Sequence, residues 1–64
     1  MRIKLDAVKI RTELYKQGMT QKDLTERSGY SRSAICGVCN GRSCQIHTAK
    51  AIAKALGVTV DDLK

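Results

Sequence analysis

Four side chains that can ligate a soft metal ion lie close together in the middle of the chain. Their order is Cys36-x2-Cys39-x4-Cys44-x2-His47, and thiolates and imidazoles at such spacings can build a tetrahedral zinc site. The dipeptide Asn40-Gly41 between them is a strong hairpin-turn signal. One interpretation is therefore a small zinc knuckle that binds single-stranded RNA, in which zinc supplies stability that a small core lacks.

The residues around this cysteine motif also favour a different structure. The run from Ile35 to Cys39 is continuously apolar, whereas the arms of a hairpin would alternate between apolar and polar residues. Asn40-Gly41 can equally well end a helix. A knuckle usually stacks bases on aromatic rings, and no aromatic residue lies between Ser31 and His47. The helical interpretation, with no bound metal, is the better one.

No group of residues has the pattern of a catalytic site. The chain has one histidine, and Ser31 and Ser33 adjoin Arg32 rather than a base. No glycine-rich phosphate loop follows a strand, and 64 residues are too few to enclose a pocket of drug-ligand size. We expect no enzymatic activity, no small-molecule substrate and no cofactor.

Positive charge is concentrated in the middle of the chain. Twelve Lys and Arg residues stand against six Asp and Glu, which gives a formal net charge of +6. No acidic residue occurs between positions 27 and 60, a stretch that carries Arg27, Arg32, Arg42, Lys50 and Lys54. A basic chain favours an anionic partner. We expect nucleic acid to contact this middle stretch.

The sequence also indicates a compartment. No apolar block near Met1 has the length of a secretion signal, and no run approaches the 18 apolar residues of a membrane span. Three cysteines are an odd number, which argues against a disulfide framework. We expect a cytoplasmic protein, with no membrane partner, that forms one domain over residues 1–64.

Glycines divide the chain into short blocks with a helical apolar rhythm. Ile3, Ala7, Ile10 and Leu14 share one face of a first helix. Further helices are predicted over about 21–28, 31–39 and 46–56, and a final turn leads through Leu63. The predicted fold class is therefore all-α, a compact globule of five short helices.

Residues 20–41 have the spacing of a helix-turn-helix. Leu24 faces inward from the first helix of the pair, Gly29 frees the turn, and Ile35 and Val38 anchor the second helix. The leading end of the second helix stays free to enter a major groove, which is about 12 Å wide. Arg32 at that end can reach guanine or phosphate.

This order of elements resembles the Cro/cI-type, lambda-repressor-like family of DNA-binding proteins, also called the XRE family. The resemblance is carried by residues 18–31 (GMTQKDLTERSGYS), by Asn40-Gly41 and by residues 53–63 (AKALGVTVDDL). It covers about residues 8 to 63. The family implies a five-helix domain that binds double-stranded DNA in a sequence-specific way, most often as a transcriptional repressor.

The resemblance also implies which residues contact DNA and how the protein assembles. The helix at 31–39 would be the recognition helix. Base-facing positions would be those of Ser31, Arg32, Ser33, Cys36 and Gly37, and phosphate-facing positions those of Gln21, Asn40 and Arg42. The family suggests a homodimer on a palindromic operator, paired through the last helices by Val58, Val60 and Leu63, and a regulator from a phage or other mobile element.

Two positions depart from the family pattern. The family often carries a buried arginine near the end of the first helix and a glutamate just before Asn-Gly, paired as ions. Leu14 and Cys39 occupy these positions here. Because both charges are missing together, we expect an apolar contact in place of the ion pair, an exchange that can be neutral or stabilising.

Overall fold

The computed structural model describes all 64 residues and contains five helices, as predicted. The second and fourth helices have the predicted bounds, and the third begins one residue later than predicted because Ser31 is its cap. The helices are α1 (Ala7–Gln17), α2 (Gln21–Ser28), α3 (Arg32–Cys39), α4 (Ile46–Leu56) and α5 (Val60–Leu63).

Short polar side chains begin four of these helices. The Asp6 carboxylate accepts a hydrogen bond from the Val8 amide at 2.9 Å and so begins α1. The Ser31 hydroxyl accepts from the Ala34 amide at 3.2 Å. Thr20 and Thr59 form complete capping boxes at the start of α2 and α5. These caps satisfy amides that a helix leaves unpaired at its first turn.

The capping boxes predict how stability depends on acid. The amides of Thr20 and Thr59 donate to the carboxylates of Asp23 and Asp62, each at 3.0 Å. These bonds favour the charged carboxylates and lower both pKa values below the ordinary 3.8. Because the pKa is lower in the folded state, the stabilisation is complete well above pH 3.8 and is lost as the pH falls through the folded-state pKa.

We therefore expect the melting temperature of the wild-type protein to fall as the pH drops below 3.8. The double variant Asp23→Asn/Asp62→Asn should show a weaker fall over the same range, since neither amide side chain can be protonated there. Thermal unfolding followed by circular dichroism across this range measures the difference. A double variant with the full acid dependence of the wild type would contradict this explanation.

The all-α prediction missed a short two-stranded ribbon. Strand β1 (Arg2–Lys4) pairs with β2 (Ser43–Gln45) in antiparallel register, with Ile3 opposite Cys44. The placement of Ile3 on the face of the first helix was therefore wrong. The carboxylate of Asp6 caps α1 at Ala7, which leaves the preceding residues free to extend.

The five helices and the ribbon enclose one core. Leu24, Ile35 and Ile52 are fully buried in it. Leu14 and Cys39 also belong to this core, with 6% and 1% of their surfaces exposed. The two expected apolar residues are thus both buried, and α1, which carries Leu14, packs against α3, which carries Cys39.

Every helix is too short or too polar to cross a lipid bilayer.

Candidate nucleic-acid interface

The turn between α2 and α3 fixes the direction of α3. Gly29 ends α2 with a positive φ of 78°, a conformation that glycine adopts at little cost. Tyr30 follows in the turn, and its ring stacks on that of His47 with centroids 6.2 Å apart. Ile35 and Val38 bury the inner face of α3 against the core. The opposite face of α3 is left at the surface.

That outer face forms one side of a groove of ≈ 490 Å³. The lining residues of α3 recur at intervals of three or four positions, as residues on one face of a helix do. All of them belong to the predicted site: Arg32, Ser33, Cys36, Gly37, Asn40 and Arg42. The structure thus brings together the predicted residues of α3 and the loop that follows it.

The groove is positively charged and contains no acidic side chain. Arg32 and Arg42 line it, and neither takes part in either of the two ion pairs of the molecule, Lys16–Glu13 and Lys64–Asp61. Unpaired guanidinium groups can bind phosphate or the acceptor edge of guanine. The charge of the groove suits an anionic polymer.

Gln21 and Ser31 lie outside this groove, each at the start of a helix. Gln21 is the first residue of α2 and is exposed. Ser31 is also exposed, but its hydroxyl oxygen already accepts the Ala34 amide. Its proton remains available to a ligand, because a hydroxyl donates one hydrogen bond while accepting others.

Asn40 is held by side chains on both sides rather than left free. Its Oδ1 accepts a hydrogen bond from the Arg11 guanidinium at 3.1 Å, and its Nδ2 donates to Cys36 Sγ at 3.4 Å. Arg11 belongs to α1 and was not among the predicted site residues. It joins the first helix to the end of α3, close to the positions where the family has its ion pair.

Arg2 and Gln45 of the ribbon are two further surface residues that the sequence analysis missed. They line a second groove of ≈ 290 Å³ along α3, which shares Ser33, Gly37 and Arg42 with the first. Only the pairing of β1 with β2 brings them there. The chain gives no local signal for that pairing, since each strand has three residues.

The cysteine motif does not form a metal centre. No group of three His, Cys, Asp or Glu side chains converges anywhere in the chain. Cys36 is exposed on α3, whereas Cys39 and Cys44 are buried, and His47 stacks on Tyr30. Burial raises the pKa of the Cys39 and Cys44 thiols, which disfavours the thiolates that zinc requires. The zinc-knuckle interpretation is therefore not supported.

Comparison with known proteins gives a family for this fold and surface. A family model described as helix-turn-helix matches residues 9–63. The chain belongs to the helix-turn-helix family. It is a DNA-binding transcriptional regulator of the Cro/cI type, as the sequence analysis predicted.

Two solved structures similar to this helix-turn-helix protein are restriction-modification controller proteins. C.AhdI from Aeromonas hydrophila is 27% identical, with a TM-score of 0.83 over 91% of this chain and 89% of that chain. C.Esp1396I is 33% identical, with a TM-score of 0.73 over 83% of this chain and 70% of that chain. No curated protein sequence matches this one.

A third similar structure is part of a larger protein. The Streptomyces albus HEPD structure, with 2-hydroxyethylphosphonate and Fe(II) bound, is 25% identical with a TM-score of 0.80. The match covers 91% of this helix-turn-helix chain but only 13% of that chain. It gives no argument about chemistry for the present protein.

Gly37 offers a direct test of how closely α3 approaches its ligand. A Cβ added at Gly37 would meet Arg42 Cδ at 3.6 Å, an ordinary van der Waals contact. Because glycine disfavours a helix interior, Gly37→Ala should raise the free energy of unfolding by about 0.5–1 kcal/mol. We also expect it to weaken DNA binding, since the added methyl group stands in the groove.

Both effects are measurable on one variant, by chemical denaturation and by fluorescence anisotropy with a duplex. Gly57→Ala is a useful contrast, because Gly57 has a φ of 73° and the variant should lose stability. If Gly37→Ala binds DNA as tightly as the wild type, DNA does not approach α3 closely at Gly37.

Proposed function

We propose that the protein regulates transcription by reading the major groove of duplex DNA with α3. The observation that carries this proposal is the acid-free groove, in which the predicted residues of α3 meet Arg42. Arg32 and Ser33 lie at the leading end of α3, as in recognition helices that contact base edges with their N-terminal residues. Binding, rather than catalysis, is the proposed role.

Base and phosphate contacts are divided between two sets of residues in this proposal. Those at the cap and on the outer face of α3 read bases: Ser31, Arg32, Ser33, Cys36 and Gly37. Gln21, Asn40 and Arg42 contact the phosphates on either side of the groove. Phosphate contacts supply much of the affinity by releasing counterions, and base contacts supply the sequence preference.

We further propose that the protein acts as a homodimer on a palindromic operator. The longest dimension of the chain is 30 Å, which is less than the roughly 34 Å of one turn of DNA. Two copies related by a two-fold axis would read successive turns on one side of the duplex. Of the predicted dimer residues, Val58 and Val60 are half-buried, but Leu63 is fully buried in the core of its own chain and cannot pair.

The likeness to restriction-modification controller proteins favours a particular kind of regulator. C.AhdI and C.Esp1396I are both such controller proteins. We propose that this protein is likewise a small regulator carried by a mobile element, and that it represses transcription by occupying a promoter.

Selection of binding sites from a random duplex pool tests this function. We expect the enriched sequences to contain an inverted repeat with half-sites about one helical turn apart. Light scattering of the complex should then give two protein chains per duplex. A single half-site would contradict the dimer, and a pool without any enriched sequence would contradict sequence-specific binding.

A further inference from the structure

The second groove along α3 has no role in the function proposed so far. It lies between α3 and the ribbon, where β1 brings Arg2 beside Ser33, Gly37 and Arg42 of the first groove. Ser43 and Gln45 of β2 form its other side. The two grooves are therefore continuous, and Arg42 stands between them.

The Arg2 side chain is fixed in this groove by two hydrogen bonds to Ser43. Nε donates to Ser43 Oγ at 3.2 Å, and Nη2 donates to the Ser43 carbonyl at 2.8 Å. A guanidinium has five N–H donors, so three remain available. Since the side chain is already held in place, less rotamer freedom is lost when those donors bind a ligand.

The charges around the groove favour an anion with several acceptor oxygens. No acidic residue lines it, and neither Arg2 nor Arg42 takes part in an ion pair. The hydroxyls of Ser33 and Ser43 add neutral donors. Arginine pairs well with phosphate because its planar fork matches two phosphate oxygens.

We propose that Arg2 and Arg42 together bind a backbone phosphate of the DNA whose major groove is read by α3. This inference rests on the proposed function and extends it. The ribbon becomes a second DNA-contacting element, and the pairing of β1 with β2 sets the position of the phosphate contact. A merely structural Arg2 would hold the ribbon together without touching DNA.

The salt dependence of DNA binding tests this proposal. The slope of log K against log salt is negative, and each phosphate contact that is lost makes it shallower by about 0.9. Arg2→Gln removes the charge but keeps donors for Ser43. In this variant Arg42 still faces the shared phosphate, so we expect the slope to become measurably shallower, by at most about 0.9, and binding to weaken by up to about tenfold at low salt, equally on a selected site and on a mixed-sequence duplex.

Lys4→Gln is the matched control. Lys4 lies on the same strand and carries the same charge, but it lines a different depression with Asp6, Gly41 and Lys64. Its slope should remain close to that of the wild type. Amide NMR signals of Ile3 and Cys44, which face each other in the ribbon, report whether the strands stay paired in both variants.

Each result has a defined meaning. The proposed phosphate contact would be overturned by an unchanged slope in Arg2→Gln. It would also be overturned if Lys4→Gln changed the slope as much as Arg2→Gln does. A loss confined to the selected site would also overturn it, because Arg2 would then read a base. If the wild-type protein failed to bind any duplex, the proposed function itself would fail. If the wild type binds and only the Arg2 result is negative, the function stands without this contact.

Discussion

Replacing Leu14 with arginine is expected to lower the free energy of unfolding by about 3–5 kcal/mol. Leu14 is 6% exposed and belongs to the core where α1 packs against α3. A buried guanidinium without a charged partner loses its hydration and gains no ion pair in return. Urea denaturation followed by circular dichroism measures the loss. An unchanged midpoint would contradict the assignment of Leu14 to this core.

A second variant tests whether the family ion pair can be rebuilt at this place. Cys39→Glu alone should also destabilise the protein, because Cys39 is 1% exposed. In Leu14→Arg/Cys39→Glu the two charges can pair, so we expect the combined loss to be smaller than the sum by at least about 1 kcal/mol. Leu14→Met, which nearly conserves volume, should cost less than about 1.5 kcal/mol. Additive losses would show that these positions do not face each other.

Replacing Arg32 with alanine is expected to weaken binding to the selected DNA site by about 1–3 kcal/mol and to relax base preference at one position. Arg32 is exposed at the first position of α3, lines the acid-free groove and has no ion-pair partner. An arginine so placed can bind guanine through two hydrogen bonds. Anisotropy titrations on the selected site and on single-base variants of it measure both effects.

Arg27→Ala is the control for Arg32→Ala. Arg27 is exposed in the last turn of α2 and does not line the groove. Its replacement removes the same charge as Arg32→Ala does. Any loss in this variant should be similar on all duplexes, since a change in net charge acts without regard to sequence. If Arg32→Ala behaved in the same way, Arg32 would be a phosphate contact and some other residue of α3 would read the bases.

Most of the helical fold follows from signals within a few residues of each helix. Thr20 and Asp23 form the capping box that begins α2. The glycines at 18, 29 and 57 end α1, α2 and α4 in the left-handed conformation. The apolar spacing of α4 predicted its bounds correctly. Such features need no information from distant parts of the chain.

The ribbon could not be predicted because it depends on contacts between residues that are far apart along the chain. Arg2 bonds to Ser43, 41 residues away, and two strands of three residues are too short to show an alternating pattern. Ile3 lies four positions before Ala7, which is about one helical turn, so the apolar spacing predicted a first helix that began too early. Only Asp6, a good N-cap residue, marked the true start of α1.

The same contrast limits what could be predicted of the candidate site. The outer face of α3 follows from the helical period, so the cluster from Arg32 to Asn40 was within reach of sequence reasoning. The bond from Arg11 to Asn40 and the position of Arg2 depend on how α1 and β1 pack against the end of α3. These are tertiary effects, which no local pattern in the sequence reveals.

The separation of β1 from β2 along the chain also has a kinetic consequence. Helices joined by tight turns make mostly local contacts, which form quickly, whereas closing a long loop costs entropy before any contact is gained. The two strands of the ribbon should therefore pair last during refolding and separate first under native conditions. Amide hydrogen exchange would accordingly be fastest at the edge of the molecule that carries Arg2, while α3 and its neighbours remain protected.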